Sequence, residues 1–448
     1  MKLVETIRNI WKIEDLKSRI LTTLGFLLVY RLGSFVVLPG IDPAKLAGLS
    51  QQTREGVMGL LDMFSGGAFS NASIFALGIM PYISASIVVQ LLGMAIPYFQ
   101  KLQREGESGR RKINQITRYL TVIILLVQAP GYLANLANQA GGAIVESGWS
   151  FNVTSTIILT AGTMFVMWLG ERITDKGIGN GISLIIMIGI IARLPQAFFA
   201  ELVSRLEATA GGGGLVMLLI ELVILFFVFM GTILLVQGTR RIPVQYAKRI
   251  VGNKQYGGVR QYIPLKVNAA GVMPIIFAQA IMFIPVTVAG FVNSDSATGF
   301  AAVFADITGF WYNFVYALMI IAFTYFYTAI TINPTQMAED MKRNGGFIPG
   351  VKPGKKTVEY LDSVMSKITL PGSIFLAIVA ILPAFAMMAG VERSFAYFYG
   401  GTSLLILVGV ILDTLQQIES HLLMRHYDGL MKSGRIKGRT GGGAQAMY

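Results

Sequence analysis

Several residue types on which soluble enzymes depend are missing or scarce in this chain of 448 residues. Cysteine is absent, which excludes disulfides, thiolate metal sites and thiol catalysis. The two histidines, His421 and His426, would point about 140° apart on a helix and would make a poor metal pair. No phosphate-binding GxxxxGK(S/T) loop occurs, so the sequence carries no nucleotide-driven motor of its own. We therefore expect no metal, no cofactor and no enzymatic activity.

Charge is scarce as well, and apolar residues are in excess. Only 14% of the residues are charged, against roughly 25% in an ordinary soluble protein, and 54% are hydrophobic. A soluble globule of this composition would have too little polar material to cover its surface. Because the apolar residues are spread along the whole chain, the sequence predicts an all-α protein that crosses a membrane many times.

Ten segments approach the length of about 20 apolar residues that a membrane-spanning helix needs. Their predicted bounds are 20–38, 74–97, 117–137, 150–170, 182–200, 214–236, 270–291, 308–331, 372–391 and 396–417. We number them as spans 1 to 10. Several contain an internal proline, which membrane helices tolerate when neighbouring groups satisfy the freed carbonyls.

The 37 Lys and Arg residues fix the orientation of these spans. If the N-terminus is cytoplasmic, all but six of them fall on the cytoplasmic side, as the positive-inside rule requires. The exceptions are Arg31, Lys45, Arg54, Arg193, Arg205 and Arg393. The distribution predicts that both termini are cytoplasmic.

Two of the cytoplasmic loops, 237–266 and 333–370, are larger and more basic than topology requires. The first has seven cations and no acid, and the second contains GGFIPGVKPGKKT, in which Gly and Pro favour a shaped tip. Contact with anionic lipid headgroups would explain the charge. A docking surface for an anionic partner, such as the RNA of a ribosome, would explain it equally well. Charge alone leaves both interpretations open.

The segment between spans 1 and 2, VMGLLDMFSGGAFS (57–70), is apolar but interrupted by Asp, Ser and Gly. It is too short and too polar to cross a bilayer. At membrane depth it must be buried in protein or line an aqueous cavity. An amphipathic helix on the membrane surface is the alternative, and the residues themselves do not decide between the two.

Isoleucines recur at helical spacing in two spans. Ile79, Ile83 and Ile87 share one face of span 2, and Ile182 and Ile186 repeat the spacing on span 5. Such stripes are most often core or lipid contacts. The specific alternative is a ring of branched apolar side chains that seals a pore by dewetting. Periodicity does not distinguish these two interpretations.

Two other classes of function fit less well. Ten spans would suit a small-solute secondary transporter, but the spans lack the intramembrane charge pairs that we expect of such a carrier, and the basic loops are too large. An intramembrane enzyme is disfavoured because no paired catalytic residues appear within the spans.

Six motifs in both halves of the chain resemble the bacterial SecY family, the channel-forming subunits of the protein-conducting translocon. They are SIFALGIMPYISASIVVQLL (73–92), GESGRRKINQITRYLT (106–121), ERITDKGIGNGISLIIMIGI (171–190), VNAAGVMPIIFA (267–278), GGFIPGVKPGKKT (345–357) and GGTSLLILVGVILDTL (400–415). The resemblance implies ten transmembrane helices in two pseudo-symmetric halves, 1–200 and 201–439, which form an inverted repeat around a central pore. The tail 440–448 stays unassigned.

The resemblance also assigns roles to residues of this chain. It implies a pore ring of Ile79, Ile83, Ile182, Ile186, Ile281 and Ile406, with Met282 as an alternative to Ile281. The segment 57–70 resembles a plug that stops the outer funnel, represented by Leu60, Leu61, Phe64, Gly66 and Gly67. Gly66 and Gly67 fit a hinge because glycine accepts many backbone angles. Ser84, Gln90 and Asn268 match polar positions of a lateral gate between spans 2 and 7.

The implied function is a protein-conducting channel that passes unfolded preproteins and releases transmembrane segments sideways into lipid. The implied partners are the small membrane subunits SecE and SecG, the motor ATPase SecA, the ribosome, preprotein signal sequences and anionic lipids, at the bacterial cytoplasmic (inner) membrane. The basic loops resemble docking sites for SecA and the ribosome, through Arg240, Arg241, Lys248, Arg249, Lys352, Lys355 and Lys356. Lys352 stands where most relatives carry Arg. Since lysine cannot make the bidentate contact that arginine makes, we do not expect a bidentate contact with the motor at this position.

Overall fold

The computed structural model describes residues 11, 13–43, 46, 62–139, 144, 148–207, 214–246, 249–251, 254–256, 260–279, 281–282 and 308–432. The helices are α1 Glu14–Gly33, α2 Met80–Ala95, α3 Pro97–Arg104, α4 Glu107–Gln139, α5 Trp149–Lys176, α6 Gly181–Glu207, α7 Gly214–Gln237, α8 Phe310–Thr331, α9 Pro334–Arg343, α10 Lys355–Met388, α11 Arg393–Ala396 and α12 Gly401–Lys432. The strands are β1 Thr239–Tyr246, β2 Arg249–Val251, β3 Lys254–Tyr256, β4 Arg260–Lys266 and β5 Gly346–Phe347.

Each of the ten predicted spans contains helical residues in the described part of the chain, although several begin or end in turns. Seven helical segments in the described part of the chain are long and apolar enough to cross a membrane, namely α4, α5, α6, α7, α8 with α9, α10 and α12. Span 1 is the 20-residue helix α1, and span 7 is described only as far as residue 282, with helical turns at 273–279 and 281–282. The protein is a polytopic α-helical membrane protein.

Span 2 differs from its prediction because it is broken near its end. Helices α2 and α3 meet at a bend of 102°. Pro97 opens α3, and the residue before it, Ile96, has an extended backbone with φ −112° and ψ 121°. Since a proline disfavours the helical conformation of the residue that precedes it, the sequence IP forces the break. The predicted span 74–97 is therefore the helix α2 alone, preceded by turns.

The two basic loops form a single packed unit, which the sequence analysis did not predict. Strands β4, β1 and β5 make a three-stranded antiparallel sheet, so that β1 from the first loop pairs with β5 from the second. Ile242 and Val244 of the sheet are buried against Met341 of α9 and Leu361 of α10. The alternation of exposed and buried positions in β1 is weak, and both long strands contain a proline, a residue that is uncommon within sheets.

Three apolar clusters lie among the membrane helices. One draws only on residues between 37 and 159, and a second only on residues between 228 and 412. The third, which we call the central cluster, combines residues 26–225 with residues 272 and 386–410. The two halves of the sequence therefore build separate cores and meet at the central cluster.

Candidate pore, plug and lateral gate

Five of the six isoleucines predicted for a pore ring lie in the central cluster. Ile79, Ile186 and Ile406 are at most 7% exposed, and Ile83 and Ile182 are partly buried against the same cluster. Their positions follow from three helix starts, because α2 begins at residue 80, α6 at 181 and α12 at 401. The first turns of these three helices therefore bring branched apolar side chains from both halves together.

The sixth residue, Ile281, is not brought to this cluster. Its side chain is 37% exposed, whereas the alternative, Met282, is buried in the cluster of the C-terminal half. Val272 is the residue of span 7 that packs against the central cluster in the described part of the chain. Val272 lies in the turn before the helical residues 273–279, and Ile281 lies nine positions further along the chain.

The predicted plug packs against the same cluster. Residues 62–64 form a helical turn, and a series of turns follows as far as residue 79. Met63 and Phe64 are buried in the central cluster. Leu60 and Leu61 lie outside the described residues. We call the described part of this element, residues 62–70, the plug segment.

Gly66 and Gly67 allow the plug segment to lie directly against α6. Both have positive φ angles, 65° and 92°, which favour glycine. A Cβ atom on Gly66 would lie 2.8 Å from the Cα of Gly189, and a Cβ on Gly67 would lie 2.7 Å from Nη2 of Arg193. Gly66 is therefore required by close packing against backbone, whereas Gly67 is favoured by its positive φ angle; both reasons are separate from the predicted hinge.

Polar contacts hold the plug segment on two sides. From α1, the hydroxyl of Tyr30 donates to the carbonyl of Ser65 at 3.2 Å, and Nη1 of Arg31 donates to the carbonyl of Gly66 at 2.5 Å. From α4, the hydroxyl of Tyr132 donates to the carbonyl of Phe69 at 2.9 Å. The carbonyls of Ser65 and Phe69 also accept from the backbone N–H groups of Ala68 and Ala72, so these side chains add to hydrogen bonds that the turns already make.

An ion pair adds a contact from α6. Nη2 of Arg193 donates to Oδ2 of Asp62 and, at 2.8 Å, to Oγ of Ser70. The other carboxylate oxygen of Asp62 accepts from the backbone N–H of Ser70 at 2.8 Å. The sequence analysis missed this site, although a signal existed: Arg31 and Arg193 are among the six cations outside the cytoplasmic majority, and Asp62 is the only acid of 57–70.

A cavity opens beside this ion pair, between the plug segment, α6 and the connection from α10 to α12. It is lined by Asp62, Arg193, Gln196, Ser394 and Tyr397, together with apolar side chains. The phenol of Tyr397 is neutral at physiological pH, because a tyrosine hydroxyl ordinarily ionises only near pH 10. The charges at this cavity therefore come from the aspartate and the arginine.

The three predicted gate residues do not bond to one another. Gln90 accepts a hydrogen bond from the hydroxyl of Tyr327 on α8 at 3.3 Å, and its amide nitrogen lies 3.4 Å from Oγ of Ser86. Ser84 is half-buried, and Oδ1 of Asn268 is buried with no hydrogen-bond partner among the described residues. Among the described residues, Gln90 of α2 thus makes a polar contact with the C-terminal half through α8 of span 8.

The predicted docking residues are exposed where the structure describes them. Arg240 and Arg241 lie on β1, Lys352 precedes α10, and Lys355 and Lys356 begin it. Lys356 also pairs with Glu359 at 3.0 Å on the surface. Lys248 lies outside the described residues, and for Arg249 only the backbone, in β2, is described. Five exposed cations thus lie on the unit that packs the sheet against α9 and α10.

A second ion network is buried where α6 and α7 approach the residues after α10. Nε of Arg205 lies 2.7 Å from Oε1 of Glu201, and its Nη2 lies 2.5 Å from Oε1 of Glu221 and 2.7 Å from the carbonyl of Gly390. The backbone N–H of Glu392 donates to Oε2 of Glu201 at 2.6 Å.

In the described part of the chain, no three His, Cys, Asp or Glu side chains are arranged to hold a metal ion.

Comparisons with known proteins agree with this architecture. The family model named SecY matches residues 73–415. The "Protein translocase subunit SecY" of Escherichia coli K12 is 42% identical over 429 residues, which cover 95% of this chain and 96% of the relative. The protein of the same name from Halalkalibacterium halodurans is 45% identical over 435 residues, which cover 96% of this chain and 100% of the relative.

Two solved structures share the fold at low sequence identity. "The structure of a protein conducting channel" matches with a TM-score of 0.59 and 18% identity, over 90% of this chain and 92% of that one. "Sec61 in the Canine ribosome-channel complex from the endoplasmic reticulum" matches with a TM-score of 0.56 and 17% identity, over the same shares of both chains. From its matching family model and its full-length relatives, the chain belongs to the SecY family.

Proposed function

We propose that this protein is the channel-forming subunit of a protein translocase, a gated passive conduit for unfolded polypeptides. The observation that carries the proposal is the convergence of Ile79, Ile83, Ile182, Ile186 and Ile406 from both halves on one cluster, with Phe64 of the plug segment packed against it. Relatives that are 42–45% identical carry the name of protein translocase subunits. They do not favour the alternative of a small-solute carrier.

The chemistry of the five isoleucines suits a seal that yields to a moving chain. Branched apolar side chains offer a passing polypeptide no hydrogen bonds, so they do not retain it. When no polypeptide is present, the same side chains exclude a continuous water column and so resist ion flow. Val272, the span 7 residue at the cluster, is a better candidate for the ring than Ile281 because only Val272 packs there.

Lateral release requires that spans 2 and 7 part from each other. Ser84, Gln90 and Asn268 are the proposed gate residues, and the contact of Gln90 with Tyr327 extends the gate to span 8. Interhelical hydrogen bonds in membranes contribute about 0.6 kcal/mol on average, enough to bias a gate without locking it. A signal sequence that binds between the helices would shift the equilibrium towards the open state.

The exposed cations around the sheet β4–β1–β5 are the proposed docking surface for SecA and the ribosome. The basic residues of both loops lie on one packed unit, which gives an acidic partner a shaped surface instead of two independent tails. One of the structural neighbours is described as part of a ribosome-channel complex. SecE, SecG, signal sequences and anionic lipids complete the proposed partners.

The proposed location is the bacterial cytoplasmic membrane, with both termini on the cytoplasmic side. The Lys and Arg distribution supports this orientation, because it puts the basic loops where the motor and the ribosome work. In the same orientation the plug segment lies towards the outer side.

The seal is tested by the conductance of the idle channel in planar bilayers. Replacing Ile83 and Ile186 together by glycine removes two branched side chains from the central cluster, so we expect a steady ion leak. Ile374→Gly with Ile378→Gly is the matched control, because these residues are 43% and 54% exposed on α10 and away from the cluster. A double mutant that leaks no more than this control would contradict the proposed seal.

A further inference from the structure

The plug segment is held by charge as well as by apolar packing, and this charge is not required to stop a pore. Asp62 carries the only negative charge of the segment, and two guanidinium groups reach the segment from different helices. Arg193 on α6 contacts Asp62 and Ser70, while Arg31 on α1 contacts the carbonyl of Gly66. The two cations therefore hold neighbouring points of one short segment.

Burial makes the pair of Asp62 and Arg193 more than a surface contact. The aspartate side chain is 11% exposed and the arginine side chain 20% exposed. Nε of Arg193 is buried without a hydrogen-bond partner among the described residues, so the guanidinium gives up part of its hydration to reach the plug segment. Removing one member of such a pair leaves the other partly desolvated and without its counter-charge.

The same burial makes the contact reversible. Each ion loses hydration when the pair forms and regains it when the plug segment moves into an aqueous funnel. A charged contact can therefore fix the position of the plug segment and still open readily, because the separated ions are stable in water. An apolar contact of the same area would expose hydrophobic surface to water when the plug segment moves, so it would resist opening.

We propose that Asp62 and Arg193, assisted by Arg31, form a latch that sets how often the plug segment leaves the idle channel. This inference rests on the proposed function, in which the segment stops the pore, and adds the residues that regulate it. A polypeptide that enters the funnel beside α6 must separate the ion pair before the plug segment can move. The frequency of opening then depends on this pair and not only on the isoleucine seal.

The test measures how accessible the plug segment is in a chain that has no cysteine of its own. Ser65, which is 3% exposed, is replaced by cysteine, and its labelling by a membrane-impermeant maleimide added from the outer side is timed in idle proteoliposomes. Asp62→Asn in this background retains the shape of the side chain and removes its charge. We expect labelling to accelerate about tenfold, which corresponds to about 1.4 kcal/mol.

A double-mutant cycle identifies the partner. Arg193→Gln should accelerate labelling to a similar extent, and the Asp62→Asn, Arg193→Gln double mutant should label no faster than the faster single mutant, because the pair is already broken. Asp175→Asn is the matched control, since this aspartate is exposed in the last turn of α5 and is remote from the plug segment. If Asp62→Asn does not fold, Arg193→Gln gives the same test.

Each single mutant is labelled with Ser65→Cys and, separately, with Ala68→Cys as the reporter. If both mutants are labelled at rates within twofold of the control with both reporters, the latch is overturned. Multiplicative effects in the double mutant would also overturn it, because they would mean independent contacts. Preprotein translocation is measured on the same proteoliposomes. If the wild-type complex translocates preprotein but the mutants show no change in labelling rate, only the latch is refuted. If the reconstituted wild-type complex never translocates preprotein, the proposed channel itself is refuted.

Discussion

Replacing Arg205 by methionine removes the cation of a network that is almost fully enclosed. The guanidinium is 10% exposed and faces Glu201 and Glu221, whose side chains are 0% and 3% exposed. Methionine approximates the length of the aliphatic part of arginine but supplies neither charge nor donors. The mutant therefore tests how much of the packing between α6, α7 and the residues after α10 depends on one charged group.

The expected loss follows from the burial of the two carboxylates. Breaking a buried ion pair by removing one partner costs about 3–5 kcal/mol, because the remaining charge is desolvated and unpaired. Arg205 contacts both carboxylates and the carbonyl of Gly390, and Oε2 of Glu221 already lacks a partner among the described residues. We therefore expect the full range of about 3–5 kcal/mol for Arg205→Met.

The assay is denaturant-induced unfolding of the purified protein in lipid nanodiscs. Arg111→Met is the matched control, because Arg111 and Glu107 are also four residues apart on a helix, but their side chains are 83% and 87% exposed. Such a surface pair contributes about 0.3–0.5 kcal/mol. The same substitution should therefore give a loss several times larger at position 205 than at position 111.

Removing the two carboxylates restores the balance of charge. Adding Glu201→Gln and Glu221→Gln to Arg205→Met leaves a neutral site, so most of the lost stability should return. A free energy of unfolding for Arg205→Met within about 0.5 kcal/mol of the Arg111→Met control would refute the reasoning. So would a triple mutant that is less stable than Arg205→Met alone, because buried unpaired charge would then not be the cause.

Three further predictions concern the plug segment, the gate and the basic surface. Gly189→Ala should destabilise the protein by about 1–3 kcal/mol in the same unfolding assay, because its Cβ would lie 2.8 Å from the carbonyl oxygen of Phe64. Gly409→Ala, in open space within α12, should not destabilise it and should stabilise it by up to about 1 kcal/mol. Tyr327→Phe removes the hydrogen bond between α8 and α2, so crosslinking of a signal sequence to α2 should become about threefold faster, and an unchanged rate would contradict this role. Arg240→Glu with Lys248→Glu should abolish SecA binding in a pull-down while leaving stability intact, and unchanged affinity would exclude the docking proposal.

The membrane architecture could be predicted from the sequence because a bilayer imposes a strict rule on the backbone. Every peptide group in the hydrocarbon region must bond within its own element, so a long apolar run becomes a helix. Runs such as 214–236 and 308–331 correspond closely to α7 and α8. The run 74–97 does not, because a proline at its end interrupts the helix and the turns before residue 80 follow the plug segment.

The pore ring stays a prediction. Residues near the starts of α2, α6 and α12 lie in one cluster, and from span 7 it is Val272 that packs against this cluster, whereas Ile281 is 37% exposed. Both residues are apolar, so hydropathy does not indicate which of them contacts the cluster. The sheet that joins the basic loops was missed because β1 and β5 are about one hundred residues apart in sequence.

By itself, the sequence determined that this protein is a helical membrane protein with many spans, and it predicts which side carries the basic loops, because hydropathy and charge act on each segment separately. Only the tertiary structure decided which residues meet. The contact of Asp62 with Arg193 links positions 131 residues apart, and that of Arg205 with Gly390 links positions 185 apart. Such pairings depend on how whole helices pack against one another, and no local pattern along the chain specifies them.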